Sequence, residues 1–181
     1  MKIIETVLDG VLVIETDVFG DHRGFFTESY NEEKFRAAGI EHNFIQDNHS
    51  LSTEAGTVRG LHFQLEPKAQ TKLVRVVAGA IYDVAVDLRG GSPTYGQWVG
   101  VILSESNKRQ LLVPRGFAHG FCTLTPNTQV LYKVDEYYSK DHDRGILWND
   151  PDIGIEWPTD RVVLSDKDKL HPGIREANIQ F

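Results

Sequence analysis

A mainly β fold, a jelly-roll β-barrel with a few short helices, is what this sequence predicts. Three observations point there. Runs rich in β-branched and aromatic residues recur at short intervals along the 181 residues, each bounded by Gly, Asp, Asn or Pro. Several of these runs alternate apolar and polar residues with the period of two that sets one strand face on a core. Helical spacing is confined to short pieces, so sheets must bury their apolar faces mostly against one another.

Taken in order, Val11 to Thr16 and Gly24 to Tyr30 read as strands. Asn31 to Ala38 is the better helix candidate: Asn31 can cap it, Phe35 can point inward, and Gly39 can end it in the left-handed conformation. Arg59 to Gln64, Leu73 to Val77 and Ile81 to Leu88 read as strands. In the last of these, Tyr82, Val84, Val86 and Leu88 form one apolar face, which predicts a strand with one face on a core. Trp98 to Leu103, Gln110 to Val113 and Thr128 to Tyr137 follow. Pro114 and Gly116 predict a tight turn, with His119 starting the next strand. A short turn is expected near Ser165 to Lys169, and Ile174 to Phe181 is too sparse in pattern to assign. No repeat, low-complexity tract or shift of composition divides the chain, so residues 1–181 are expected to form a single domain.

The net charge of -7 argues against a general affinity for nucleic acid or an anionic membrane, so an anionic ligand must be met by a local cluster of Arg and Lys. The single cysteine, Cys122, cannot form an internal disulfide, and Met1 to Glu5 lacks the long apolar stretch of a signal peptide. No apolar run approaches the roughly 20 residues needed to cross a bilayer. A soluble, cytoplasmic protein without nucleic-acid or membrane partners is expected.

Arg59-Gly60-Leu61-His62-Phe63-Gln64 and the following Lys72 carry the chemistry. A proton acceptor between two cations suits an anionic substrate that loses a proton and whose new negative charge must be held. On a strand, His62 and Gln64 share a face and could line one cavity. Taken alone, a strand histidine is more often structural, and a lysine at a strand start is usually solvated. Tyr132, on one face with Val130 and Val134, is either a core residue or an acid aimed into the barrel. Tyr138, at the strand end, could stack on a nucleobase or make an ordinary surface contact. Leu164-Ser165-Asp166-Lys167-Asp168-Lys169 is a charged turn, and such turns are usually just solvated.

Pro114-Arg115-Gly116-Phe117-Ala118-His119 resembles the second half-motif of the cupin family of β-barrels, in which that histidine is a metal ligand. Metal-binding cupins carry His-x-His in the first half-motif, whereas the matching place here reads His62-Phe63-Gln64. A catalytic transition-metal site takes about three protein ligands, so His62 and His119 alone make a poor one. A metal-free cupin-type barrel is therefore expected, and Gln64 disfavours a metal-dependent oxygenase.

Further segments join these: Phe19-Gly20-Asp21-His22-Arg23-Gly24-Phe25-Phe26, Gln46-Asp47-Asn48-His49-Ser50, Lys72-Leu73-Val74-Arg75-Val76, Tyr132-Lys133-Val134 and Leu164 to Asp168. Together, in order and spacing over nearly the whole chain, they resemble the dTDP-4-dehydrorhamnose 3,5-epimerase family. The resemblance implies a cupin-type jelly roll, no metal or organic cofactor, and a homodimer that exchanges N-terminal segments. It also implies a dTDP-linked 4-keto-6-deoxyglucose as substrate, inverted at C3 and C5 through enolates on the way to dTDP-L-rhamnose. Carried over by position, His62 would be the base and Asp168 its carboxylate partner, with Asp166 the other candidate in that turn. Lys72 would lie near the C4 oxygen, and Tyr132 would return the proton from the opposite face. Arg59 and His119 would hold the pyrophosphate or the sugar, and Tyr138 would stack on thymine. Arg23 and Glu28 match substrate contacts supplied by the neighbouring subunit. Gln46, Asp47 and Asn48 match a stretch lining the nucleotide pocket, and Asp143 and Lys167 match further contacts. Two other readings remain open: a single-site epimerase or ketoisomerase of another dTDP-deoxysugar, and a non-catalytic cupin that binds sugar nucleotides.

Overall fold

Two antiparallel sheets packed face to face follow from the strand-rich pattern, and the computed structural model describes them over residues 1–179 and 181. In chain order the elements are β1 (Lys2–Glu5), β2 (Leu12–Glu15), β3 (Val18–Asp21), β4 (Gly24–Thr27), α1 (Glu32–Ala37), β5 (Gln46–Ser52) and β6 (Val58–Gln64). They continue with β7 (Lys72–Ala78), β8 (Ala80–Asp87), β9 (Trp98–Ser104), β10 (Arg109–Val113), β11 (Phe117–Thr123), β12 (Thr128–Val134) and β13 (Asp143–Gly145), then a 3₁₀ turn at Asp168–Leu170. One sheet has the order β1-β2-β10-β7-β12-β5 and the other β13-β6-β11-β8-β9, while β3 and β4 form a separate hairpin.

Apolar burial divides into three layers. Val74, Val76, Leu111, Val113 and Val130 of the first sheet meet Ile81, Ala85, Leu103, Phe117 and Phe121 of the second in the central core. Outside the second sheet, Leu61, Phe63, Val84, Val86 and Leu88 are covered by Ile146, Ile153 and Ile174 of the C-terminal segment. Outside the first, Ile14, Leu73 and Leu112 pack under Phe35 and Ile40, from and just after α1. The β8 pattern is therefore corrected: Tyr82, Val84, Val86 and Leu88 do share a core, but Ile81 and Ala85 on the other face are buried too.

The helix forms where its signals sit. The Asn31 side chain accepts from the Lys34 amide at 3.1 Å, Phe35 is buried, and Gly39 takes a φ of 82°. Strand ends differ from expectation where a side chain finds a better partner. β4 stops at Thr27, and Tyr30 turns to pack edge-on against Phe35 and Phe44. β12 stops at Val134, after which the Asp135 carboxylate accepts from the Thr71 amide at 2.7 Å. Tyr138 consequently lies beyond the strand rather than at its end.

Strands β6 and β11 approach unusually closely at Gly60 and Gly120. A Cβ on Gly60 would stand 2.5 Å from the Gly120 Cα, and one on Gly120 would stand 2.8 Å from the Arg59 carbonyl oxygen. Gly60 also holds a φ of 139°, where side chains are strained. This contact sets His62 opposite His119 and Arg59 opposite Phe121, with a bulge between the two pairs. Gly60→Ala or Gly120→Ala is expected to destabilise the fold by about 1–3 kcal/mol or more, as overpacking does. Urea denaturation is the check, and an unchanged midpoint would show that the strands part freely.

Candidate active site

Side chains from both sheets and from one C-terminal loop line a cavity of about 400 Å³. β5 supplies Ser50, β6 supplies Val58, Arg59 and His62, β7 supplies Lys72, β11 supplies His119 and Phe121, β12 supplies Tyr132, and the loop supplies Val163 to Ser165, Lys167 and Asp168. Arg59 and His62 are an odd number of residues apart, so a regular strand would turn them to opposite faces. The bulge between β6 and β11 lets both face the cavity. Gln64 does not line it, contrary to the shared-face expectation. Its amide donates to the carbonyls of Lys68 at 2.5 Å and Tyr137 at 3.2 Å and accepts from the Ser139 amide at 2.7 Å, pinning two loops instead.

The His62 Nε2 lies 2.6 Å from Asp168 Oδ1, joining residues 106 positions apart in the chain. The loop ends in the 3₁₀ turn that positions this carboxylate, and the Asp168 amide donates to the Ser165 hydroxyl at 3.1 Å. Asp166, the other candidate, is 97% exposed and paired with Lys169. Burial opposes ionisation of Asp168, but the hydrogen bond and charge of His62 hold its carboxyl below the ordinary range. With Nε2 engaged, Nδ1 is the ring nitrogen left to accept a proton.

Cations and a phenol stand around this pair. Lys72 Nζ donates to the His62 carbonyl at 3.3 Å, and burial pushes the ammonium down to about 8 although Asp143 and Asp83 oppose the shift. His119 Nε2 is 2.7 Å from Asp83 Oδ1, both groups being buried; burial pushes this imidazole down, and the Asp83 charge only partly offsets it. Burial raises the Tyr132 phenol, partly countered by Arg59, so it keeps its proton at neutral pH. Arg59 is braced by the Ser52 hydroxyl and the Leu51 carbonyl, each at 3.1 Å.

The remaining expected residues fall into three groups. Tyr138 donates to Asp143 Oδ2 at 3.3 Å, and Lys167 donates to the same oxygen at 2.5 Å, which gathers all three at the rim beside the cavity-lining Lys167. Gln46 and Asn48 share the Ser50 face of β5, with Gln46 donating to Asn48 at 2.8 Å. Asp47 points to the opposite face, pairs with Lys133 at 2.9 Å and lines a separate cavity of about 190 Å³. Arg23, at the turn between β3 and β4, is exposed and forked onto Asp21, and Glu28 pairs with Lys34; neither reaches the large cavity from its own chain.

Sequence reasoning missed Asp83, Ser50 and Phe121. Asp83 could have been found: it alternates with Ile81 and Ala85, a half-apolar face that turns out to be buried. The Gln64 place of the cupin-type first half-motif is not a free ligand here, because its amide donates to two backbone carbonyls and accepts from the Ser139 amide.

A family described as dTDP-4-dehydrorhamnose 3,5-epimerase matches residues 5–176. A dTDP-4-dehydrorhamnose 3,5-epimerase of Shigella flexneri is 57% identical over 169 residues, 93% of each chain. The crystal structure of the Bacillus anthracis enzyme of that name, with TDP and PPi bound, is 62% identical with a TM-score of 0.93, covering 95% of this chain and 98% of that one. A dTDP-6-deoxy-D-glucose-3,5-epimerase of Legionella pneumophila, in complex with dTDP-4-keto-L-rhamnose, is 46% identical with a TM-score of 0.93, covering 97% of this chain and 93% of that one. A shared fold, a cavity framed by a hydrogen-bonded histidine and carboxylate, and identity of this extent along nearly the whole length make the assignment: the chain belongs to the dTDP-4-dehydrorhamnose 3,5-epimerase family.

Proposed function

We infer that the protein inverts C3 and C5 of dTDP-4-dehydro-6-deoxy-D-glucose, giving dTDP-4-dehydro-L-rhamnose in dTDP-L-rhamnose biosynthesis. The observation that carries the reading is the His62–Asp168 pair in one cavity with a protonated, half-buried Tyr132 and the ammonium of Lys72. The 4-keto group acidifies the hydrogens on C3 and C5. His62 Nδ1 takes one of them, Asp168 steadies the imidazolium that results, and Lys72 faces the charge that develops on the C4 oxygen. Tyr132 gives a proton to the other face of the same carbon, which inverts it. Arg59 and His119 hold the diphosphate or the sugar, the guanidinium fork matching phosphate oxygens. Tyr138, Asp143 and Lys167 at the rim, with Gln46 and Asn48, contact the nucleotide end. Asp47 reaches that end only if the ligand or a partner crosses the edge of β5.

The same reading includes a homodimer that exchanges N-terminal segments. The β3–β4 hairpin supports it: Phe19, Phe25 and Phe26 are each more than half exposed there, and Arg23 has no reach to its own cavity. A second chain would cover those rings and receive Arg23 and Glu28 at its site. A single-domain, cytoplasmic enzyme is part of this proposal; Cys122 is buried and free, and among the described residues no helix is long and apolar enough to cross a membrane.

Turnover in deuterated water tests the reaction. Label is expected at both C3 and C5 of the product, and label at C3 alone would reduce the activity to single-carbon epimerisation. Lys72 adds a pH dependence. Its charge is present below a pKa of about 8 and is lost as pH rises through that value, so kcat/KM is expected to fall on the alkaline side near there. Lys72→Arg should remove this limb below pH 10, whatever its absolute rate, because a guanidinium stays charged. An unmoved limb would assign it to another group.

A further inference from the structure

His171 is absent from the chemistry above, yet its ring is aimed at the heart of the site. It follows the 3₁₀ turn that carries Asp168, and its Nε2 stands 3.5 Å from the same Asp168 Oδ1 that His62 contacts at 2.6 Å. The side chain is 11% exposed, and Nε2 is fully buried without a hydrogen-bond partner. A buried polar atom left unpaired costs about 1–3 kcal/mol, so its placement calls for a reason. The seat is also built for the ring. Gly145 pairs with His62 across β13 and β6, and a Cβ there would lie 2.4 Å from the His171 Cε1 and Nε2.

We propose that His62, Asp168 and His171 form a site for a divalent transition-metal ion of the zinc class, and that occupying it switches the base off. Two imidazoles and a carboxylate are a zinc donor set, with ligand bonds of about 2.0–2.2 Å and neighbouring donors therefore about 3.3 Å apart. The His171 contact at 3.5 Å is already near that spacing; binding would draw His62 back from Asp168 from 2.6 Å and bring the two imidazole nitrogens, now within 4.8 Å of each other, together by up to about 1.5 Å. His62 and Asp168 line the large cavity, which gives an ion and a further ligand access to them. The charged and titratable groups facing His171 are His62, Asp168, Lys167 and Asp143, and Lys167 and Asp143 already pair with each other.

Inhibition follows from counting ring protons. A neutral imidazole has one N–H. With a metal on the His62 Nε2, that hydrogen sits on Nδ1, the atom that would otherwise accept the carbon-bound proton. No proton leaves the neutral ring, and no lone pair remains for the substrate. The site shares His62 with the cupin-type position but takes Asp168 and His171 in place of Gln64 and His119, and the ion acts as an inhibitor rather than a cofactor.

The test uses untagged, EDTA-treated wild type and His171→Leu. Calorimetric titration with Zn²⁺ is expected to show one ion per chain in the wild type, with affinity weakened about tenfold or more in His171→Leu. Co²⁺ should give the visible absorption of a four-coordinate site in the wild type alone. Absence of one-to-one binding in the wild type, or equal affinity in a folded His171→Leu, overturns the site. Should that variant fail to fold, the wild-type stoichiometry and Co²⁺ spectrum decide. The inhibitory role rests on His62 as base: Zn²⁺ should stop wild-type turnover, EDTA should restore it, and His171→Leu should keep turning over at the same Zn²⁺. Wild-type turnover undiminished by bound Zn²⁺ overturns the switch. Metal binding is read without substrate and metal-free labelling without zinc, so the two readings fail separately.

Discussion

His62→Asn is expected to lower turnover by about 10²–10⁴-fold, the usual worth of a positioned general base, while dTDP binds as it does to the wild type. The amide can occupy much of the imidazole's space and still meet Asp168, but it cannot take a carbon-bound proton near neutral pH. The groups placed on the diphosphate and nucleotide, Arg59, His119 and Tyr138, are untouched by the change. Hydrogen exchange from C3 and C5 into solvent should vanish together with product formation. Calorimetry with dTDP alongside single-turnover assays separates the two quantities. A variant that kept its rate would transfer the role of base away from His62, and one that lost dTDP binding would make the residue a ligand contact instead.

Tyr132→Phe should divide the reaction in two. Removing the hydroxyl leaves the ring packed against the central core, so the fold is expected to persist. His62 can still remove a proton and return a solvent-derived one to the same face, so label should continue to enter C3 and C5. Inversion should fall by about 10²–10⁴-fold, because no acid remains on the opposite face. Mass spectrometry counts the label, and an added reductase specific for the inverted 4-keto sugar reports the product. Exchange without inversion is the signature of this division of labour. Loss of both would place Tyr132 in proton abstraction or in substrate positioning, and retention of both would leave it a core residue.

The parts of this molecule that could be read from its residues are those in which one local signal decides. Asn31, Phe35 and Gly39 mark α1 by capping, burial and termination, and each does so through neighbours a few positions away. The strands β8, β9 and β10 show their apolar content directly. By contrast, β5 reads Gln-Asp-Asn-His-Ser-Leu-Ser, a polar edge strand held by its ladder to β12, and nothing in its composition marks it as sheet. The four-residue strands β1 and β3 and the three-residue β13 are too short for a period to show. At the site, the residues of β6 and the Pro114–His119 turn stand close enough in sequence to be suspected as chemistry. The His62–Asp168 pair could not be reached that way, since a charged turn more than a hundred residues off looks like any solvated one. It came from likeness to a family, as did the role of Tyr132. Gln64 shows the reverse failure: strand periodicity put it with His62 on the cavity, but its amide is claimed by loop backbone that strand periodicity says nothing about.

The loop that carries Asp168 is fastened to the body near Val163 by the Thr57–Val163 bridge, in which the Val163 amide donates to the Gly56 carbonyl and the Val58 amide donates to the Val163 carbonyl, whereas His62 lies in a strand laddered on both sides. Base and carboxylate therefore belong to elements of unequal local stability. Proteins open in contiguous cooperative units, and the weaker unit can open while the stronger stays closed. An excursion of this loop would leave the jelly roll folded, its strand amides still shielded from solvent deuterium, and the imidazole without its counter-charge. Catalytic competence and global foldedness are thus separable in this architecture, and the thermal limit of activity can lie well below the temperature at which the sheets come apart.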